Sequence, residues 1–406
     1  MKEVVRADDP RLAALIARQA TQAIDDDQLG LDRIKALLDA LGRPHDRLPP
    51  VFHVAGTNGK GSTCALLRAG LEAAGHRVHV FTSPHLVRYN ERIRLAGTLI
   101  DDAQLADVMA RVLDANEAVG GSLFEVNTAA ALLAFADTPA DAVVLEVGLG
   151  GRLDATNVVA APLVTGIASI GLDHQQFLGD TVAEIAREKA GIARRDVPLV
   201  CLAQPAEAQA AIERVAATIG APLLLESRDW RLDPALVPSL RGAHQVRNAN
   251  LAWQMLTAQD RLPVPRDTFV HAIAAASWPA RFQRLADGPL TGGVETWLDG
   301  AHNPDAAAAL AAVLEARGPM HLILGILANK DAEAIVAALV PHALSLTFVP
   351  IPDHDAHRPA DLAARFNGRA AASLEQALAK LPAPRLIAGS LYLAGTALTL
   401  NGERPD

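Results

Sequence analysis

The chain has 406 residues, 50% of them hydrophobic, a formal net charge of −9 and two cysteines. That length exceeds what one core usually fills, so two or three soluble domains are expected. The acidic balance argues against nucleic acid or an anionic membrane as a partner, and Cys64 and Cys201, far apart and without ligand spacing, argue against a disulfide framework or a zinc site.

The N-terminal MKEVVRADDPRLAAL places charges where a signal peptide needs an unbroken apolar stretch, and no later run is long enough to span a membrane. A cytoplasmic monomer is the expectation. From Val51 the text reads VFHVAGTNGKGSTCALL, which predicts a strand, a glycine-rich turn and a helix starting near Ser62. In that context the backbone N–H groups of a turn holding Gly56, Gly59 and Gly61, with the Lys60 ammonium, converge where an anion can sit. The spelling departs from G-x-x-x-x-G-K-[ST]: Val54 and Gly61 stand where glycine and a hydroxyl residue belong, and Ser62 brings the hydroxyl one position later. The competing reading is a strand-to-helix connection with a solvated lysine.

HRVHVF predicts a short strand ending in Ser83-Pro84-His85, which alone reads as a loop. DAVVLEVGLGGRLDATN sets Glu146 at the end of a buried strand, followed by glycines and Asp154. A carboxylate at the carboxyl end of a parallel strand points to a metal or substrate ligand. SIGLDHQQFLG brings in Asp173 and His174, and the helical EIAREKAGI carries Lys189 next to Glu188; singly these read as structural or solvated residues. Strand and helix alternate through VPLVCLA and AEAQAAIERVAATIG, which predicts a parallel sheet covered on both faces.

LADGPLTGGV, between Arg284 and Glu295, lacks periodicity and marks a linker at 286–295, dividing a domain 1–285 from a smaller α/β domain 296–406. Beyond it TWLDGA, HLILGIL, SLTFVPI and RLIAG alternate with helices after Pro304, from Ala332 and after Pro359. His354 and His357 form an HxxH that reads as polar loop before a helix.

Taken in order, GTNGKGS, TSPH, LEVGLGGRLDATN, LDH with LG, REKAGI, HQVRNA, RFQ and DGAHNP resemble the folylpolyglutamate synthase/dihydrofolate synthase family, within the Mur-type ATP-dependent ligases. The resemblance runs from about Leu29 to the C-terminus. It implies a P-loop-containing Mur-ligase-like ATPase domain followed by a Rossmann-like α/β domain. It implies ATP phosphates on Gly56, Thr57, Asn58, Gly59, Lys60, Gly61 and Ser62, nucleotide contacts at Asn248, Arg281 and Asp299, and Mg2+ on Ser83, Glu146 and His174. Lys189 matches a carbamylated lysine, and His302 a residue facing the reacting carboxyl and the incoming amino acid. Lys60, Lys189, His302 and Asp154 are the expected catalytic set. The early loop QLGLDR with Leu29 and Gly30, the segment around Phe124, and Asp154 match the pteroate side.

The implied reaction joins L-glutamate to dihydropteroate and to tetrahydrofolates through an acyl phosphate, with no protein nucleophile. Two alternatives remain open at this stage. One is a Mur-type ligase for another substrate; the other is a nucleotide-binding switch, against which stand Glu146, His174, Lys189 and the second domain.

Overall fold

A computed structural model describes residues 9–22 and 29–406. Gln28, at the start of the early loop, and the first eight residues lie outside the described residues.

Eight strands make the first sheet: β1 (Val51–Ala55), β2 (Val78–Phe81), β3 (Ile93–Leu95), β4 (Thr98–Leu99), β5 (Ala142–Glu146), β6 (Val164–Ile167), β7 (Leu199–Cys201) and β8 (Leu223–Leu225). Their order is β4-β3-β2-β5-β1-β6-β7-β8. The six from β2 to β8 are parallel, as expected, whereas β3 and β4 pair antiparallel at the edge. A short loop with Gly97 joins β3 to β4, and a loop that short allows only antiparallel pairing.

Alternation along the strands divides the core. Phe52, Val54, Val80, Ala142 and Val144 face the helices Lys60–Ala73, Ala243–Thr257 and Arg266–Ala275. Val51, Phe81, Val143 and Leu145 face Pro10–Gln22, Asp32–Ala40, Asp102–Val119 and Leu123–Asp137. The period of two therefore turns Glu146, next after Val144 on its face, toward the helix that begins at Lys60.

The second sheet contains β9 (Gln283–Arg284), β10 (Thr296–Leu298), β11 (Met320–Leu324), β12 (Ala343–Phe348), β13 (Arg369–Ala370) and β14 (Arg385–Ala388), in the order β13-β12-β11-β14-β10-β9. The helices Pro304–Arg317, Ala332–Leu339 and Pro359–Phe366 stand where Pro304, Ala332 and Pro359 predict them. β9, which precedes the expected linker, pairs antiparallel with β10. Leu285 and Leu290 are buried in the second core, and Thr291 N donates to Asn401 Oδ1 at 3.2 Å, so residues 286–295 pack on the second unit. Among the described residues no helix is long and apolar enough to cross a membrane.

Candidate active site

The site forms at the carboxyl ends of β1 and β5, neighbours in the first sheet. The helix after β1 starts at Lys60, two residues earlier than the sequence suggests, because Gly59 turns the chain at φ 89°. A side chain at Gly59 would meet Asn248 Oδ1 at 2.5 Å, so only glycine lets Asn248 lie against the loop. Gly56 carries the two cations at its carbonyl: Lys60 Nζ donates at 3.1 Å and Lys189 Nζ at 3.0 Å. Burial and then the Lys60 charge lower Lys189 to about 7. Ser62 Oγ is buried without a hydrogen-bond partner.

Thr57 Oγ1 donates to Gly171 O at 3.1 Å, tying the loop to the segment after β6. Ser83 N donates to Glu146 Oε2 at 3.2 Å, which brings TSPH and the β5 carboxylate together. Burial pushes the Glu146 carboxyl up, against Lys60, the Ser83 N–H and Arg281. Burial lowers His174 to about 4, with the charge of Asp173 opposing and those of Lys330, Lys60 and Lys189 adding to the shift. Lys60 is thus the common neighbour of Glu146, His174 and Lys189. Among the described residues no three His, Cys, Asp or Glu side chains form a metal-ligating group by themselves.

Asp299 accepts from Phe282 N at 2.7 Å and Ala301 N at 2.8 Å, and burial raises it against the charge of Arg281. Arg281 is lowered by burial, with Asp299 and Glu146 opposing. Arg281 therefore links the nucleotide candidates to Glu146.

The pteroate candidates gather on the opposite face. Phe124 lies on Gly148, where a Cβ would come within 2.2 Å of the ring, and Leu29 packs against the same core cluster as Leu149 and Phe177. Gly30 has no neighbour within 4 Å of where its Cβ would stand. Asp154 holds this loop in shape: Leu149 N donates to it at 2.8 Å, Thr156 N at 2.9 Å and Thr156 Oγ1 at 2.5 Å.

The second unit closes the site through Asp173, a residue the sequence alone leaves weak. Its carboxylate accepts from Lys330 Nζ and from Asn303 Nδ2 at 3.0 Å, and His302 Nε2 stands 3.7 Å away. Asn58 Nδ2 donates to Asn303 Oδ1 at 3.1 Å, so the phosphate loop touches the same network. Burial works against the Asp173 charge, yet nearby His302, with the charges of His174 and Lys330, holds it well below the usual carboxylate range. Sequence reasoning missed Lys330, whose one signal is the ILANKD turn directly after β11. His302 Nδ1 donates to Gly300 O at 2.9 Å, leaving Nε2 toward Asp173. His354 and His357 serve locally, Nδ1 of the first on Pro352 O at 2.7 Å and Nε2 of the second on Lys330 O at 3.0 Å.

A phosphate-cradling loop on one α/β unit, closed by strand-end loops of a second, defines a two-unit nucleotide-dependent ligase of the Mur type. Residues 280–393 match the model described as Mur ligase, glutamate ligase domain. The chain is 35% identical over 401 residues to the folylpolyglutamate synthase of Lacticaseibacillus casei, covering 89% of this chain and 92% of that one. It is 37% identical over 337 residues to the dihydrofolate synthase/folylpolyglutamate synthase of Escherichia coli, covering 77% and 75%. E. coli FolC in complex with DHPP and ADP superposes with a TM-score of 0.87 at 31% identity, over 98% of this chain and 99% of that one. A bifunctional folylpolyglutamate synthase/dihydrofolate synthase with Mn, AMPPNP and L-glutamate bound gives 0.85 at 32% identity, over 98% and 99%. The chain belongs to the folylpolyglutamate synthase/dihydrofolate synthase family and is an ATP-dependent, amide-forming ligase.

Proposed function

We propose that the chain uses ATP to activate the carboxylate of dihydropteroate, and the terminal carboxylate of tetrahydrofolates, for attack by the amine of L-glutamate. The observation that carries this reading is the convergence of Lys60 and Lys189 on one carbonyl, at 3.1 and 3.0 Å, below Glu146 and beside the Asp173 network. A carboxylate oxygen attacks the terminal phosphorus of ATP and the bond to ADP breaks. The amine then attacks the acyl carbon, phosphate leaves, and the amine gives up a proton.

Lys60 and the loop N–H groups position and neutralise the moving phosphoryl group. Asn248, Arg281 and Asp299 hold the nucleotide. His302, with its Nδ1 hydrogen on Gly300 O, presents Nε2 to take the amine proton, and the imidazolium so formed faces Asp173. Phe124, Leu29 and Gly30 receive the pteridine side, on a loop that Asp154 shapes.

The donor set fits a hard divalent cation, Mg2+ being our assignment. Glu146 is a buried carboxylate with one N–H donor, Ser62 Oγ is a buried hydroxyl without partner, and Ser83 and His174 complete the set. When bound, the cation supplies charge neutralisation for phosphoryl transfer. Lys189, held near 7, is partly neutral at physiological pH and can add CO2 as a carbamate with loss of a proton. We assign the domain boundary to the Trp278–Phe282 segment just ahead of β9, and infer a cytoplasmic monomer whose partners are small molecules and not nucleic acid or membrane.

The test is ADP release with ATP, Mg2+, glutamate and either dihydropteroate or a tetrahydrofolate. Release should require the acceptor, and equal release without one overturns the ligase reading. Comparing the two acceptors decides whether both activities are present.

A further inference from the structure

The phosphate loop leans on a carbonyl outside itself. Ser169 O, just past β6, accepts from Thr57 N at 2.7 Å and from Asn58 N at 3.2 Å, and Thr57 Oγ1 exchanges bonds of 3.1 Å with both O and N of Gly171. Two of the loop's N–H groups are therefore spent inside the protein. Among the described residues, those of Gly59, Lys60, Gly61 and Ser62 have no main-chain partner, as the first turn of a helix leaves them. An anion at this helix end is met by donors whose place Ser169 sets.

Ser169 is held in turn by Gln204. β7 keeps company with β6 as far as Leu202, whose N donates to Ile167 O at 3.1 Å. There the main chain departs: Ala203 N donates to Glu226 Oε2 at 2.7 Å, Ala203 O accepts from Arg247 at 2.9 Å, and Pro205 leads into the helix Ala206–Ile219. The Gln204 side chain bridges back. Its Nε2 donates to Ala168 O at 2.8 Å and its Oε1 accepts from Ile170 N at 2.9 Å, so one amide grips the residues on both sides of Ser169. It does there what the main chain of a parallel neighbour does inside a sheet. Ala168 and Ile170 are buried, so loss of the amide leaves a carbonyl and an N–H unpaired away from water, and the segment must shift to recover them. On the loop's other side stands Asn248, next after Arg247, with Oδ1 against Gly59.

We infer that Gln204 is a positioning residue for the phosphate loop: acting through Ser169, it aims the N–H groups of Gly59 to Ser62 at the outer phosphates of ATP. The inference rests on the phosphate placement proposed above, and its test separates the two. Gln204→Leu, close in size and without the amide, should weaken ATP binding, measured by titration, about tenfold, the scale of one or two net hydrogen bonds. AMP, which lacks the outer phosphates, should bind within about twofold of its wild-type affinity, whereas a general loosening of the fold would weaken both nucleotides. Gln204→Glu keeps the side-chain length and the acceptor for Ile170 N but sets a carboxylate oxygen against Ala168 O. It should therefore lose ATP affinity as Gln204→Leu does, and again spare AMP. Wild-type ATP affinity in both variants overturns the inference, as does an equal loss of ATP and AMP. Failure of the underlying placement shows separately, as Lys60→Ala binding ATP as tightly as the wild-type chain.

Discussion

The strand-end loops of the two sheets do different work. Those of the first sheet are gathered within one unit: Lys60 and Lys189 meet at Gly56 O, and Ser83 N meets Glu146. Those of the second contribute His302, Asn303 and Lys330, which reach the centre through Asp173 and Asn58. On the function proposed above, the phosphates rest chiefly on the first unit, and catalysis needs the docked pair. A labile acyl phosphate makes sense of the division, since water is excluded only when both units meet.

The largest expected effect removes the first region's cation. Lys60→Ala should cut acceptor-dependent ADP release on the order of 10³-fold, as for other groups that stabilise transferring phosphate. A variant within tenfold of wild type would move the phosphate elsewhere. Asp173→Asn strikes the second region, because it breaks the contact that gathers Lys330, Asn303 and His302 while leaving the loop intact. Steady-state assays should show kcat down about 100-fold, the scale of misplaced catalytic groups, with ATP binding measured by titration almost unchanged. A parallel loss of ATP affinity would erase the distinction between the regions.

Lys189 supplies a smaller effect. Its neutral fraction falls as pH drops below about 7, so CO2-free buffer should lower activity, added bicarbonate should restore it, and the response should be steeper at pH 6.5 than at pH 8. Rates indifferent to bicarbonate at both pH values would leave the lysine an unmodified cation.

The smallest effect on activity comes from His53, under the pteroate face. It is buried with Nε2 2.8 Å from Thr156 Oγ1, and burial lowers it to about 3 from 6.5. A folded value below the unfolded one means that its contribution is intact above pH 6.5 and is lost as pH falls toward 3. Between pH 7 and pH 4 this amounts to about 3 kcal/mol. Urea unfolding of His53→Gln should show a flatter acid limb with ADP release at pH 7 little changed; an identical limb would assign the acid loss to other groups.

How far the sequence shows these regions follows from their physics. The glycine loop, Glu146 at a strand end and the helices after Pro304 and Pro359 are local patterns, and the structure has them. The helix Leu123–Asp137 escapes periodicity because it is buried nearly all round, its face polarity gone. The antiparallel β3 and β4 are too short to display alternation. Asp173 and Lys330 are separated by 157 positions, and an isolated lysine in a turn looks like any solvated one until the fold sets it on a buried carboxylate. Asp154, which the resemblance puts in the catalytic set, also accepts from Leu149 and Thr156, contacts that no local pattern shows.

The most direct measurement uses dihydropteroate labelled with 18O in its carboxylate, turned over with ATP and glutamate. One labelled oxygen should appear in the released phosphate, because an acyl phosphate carries a carboxylate oxygen away with phosphorus. Phosphate released without label, alongside amide product, would contradict carboxylate activation at this site.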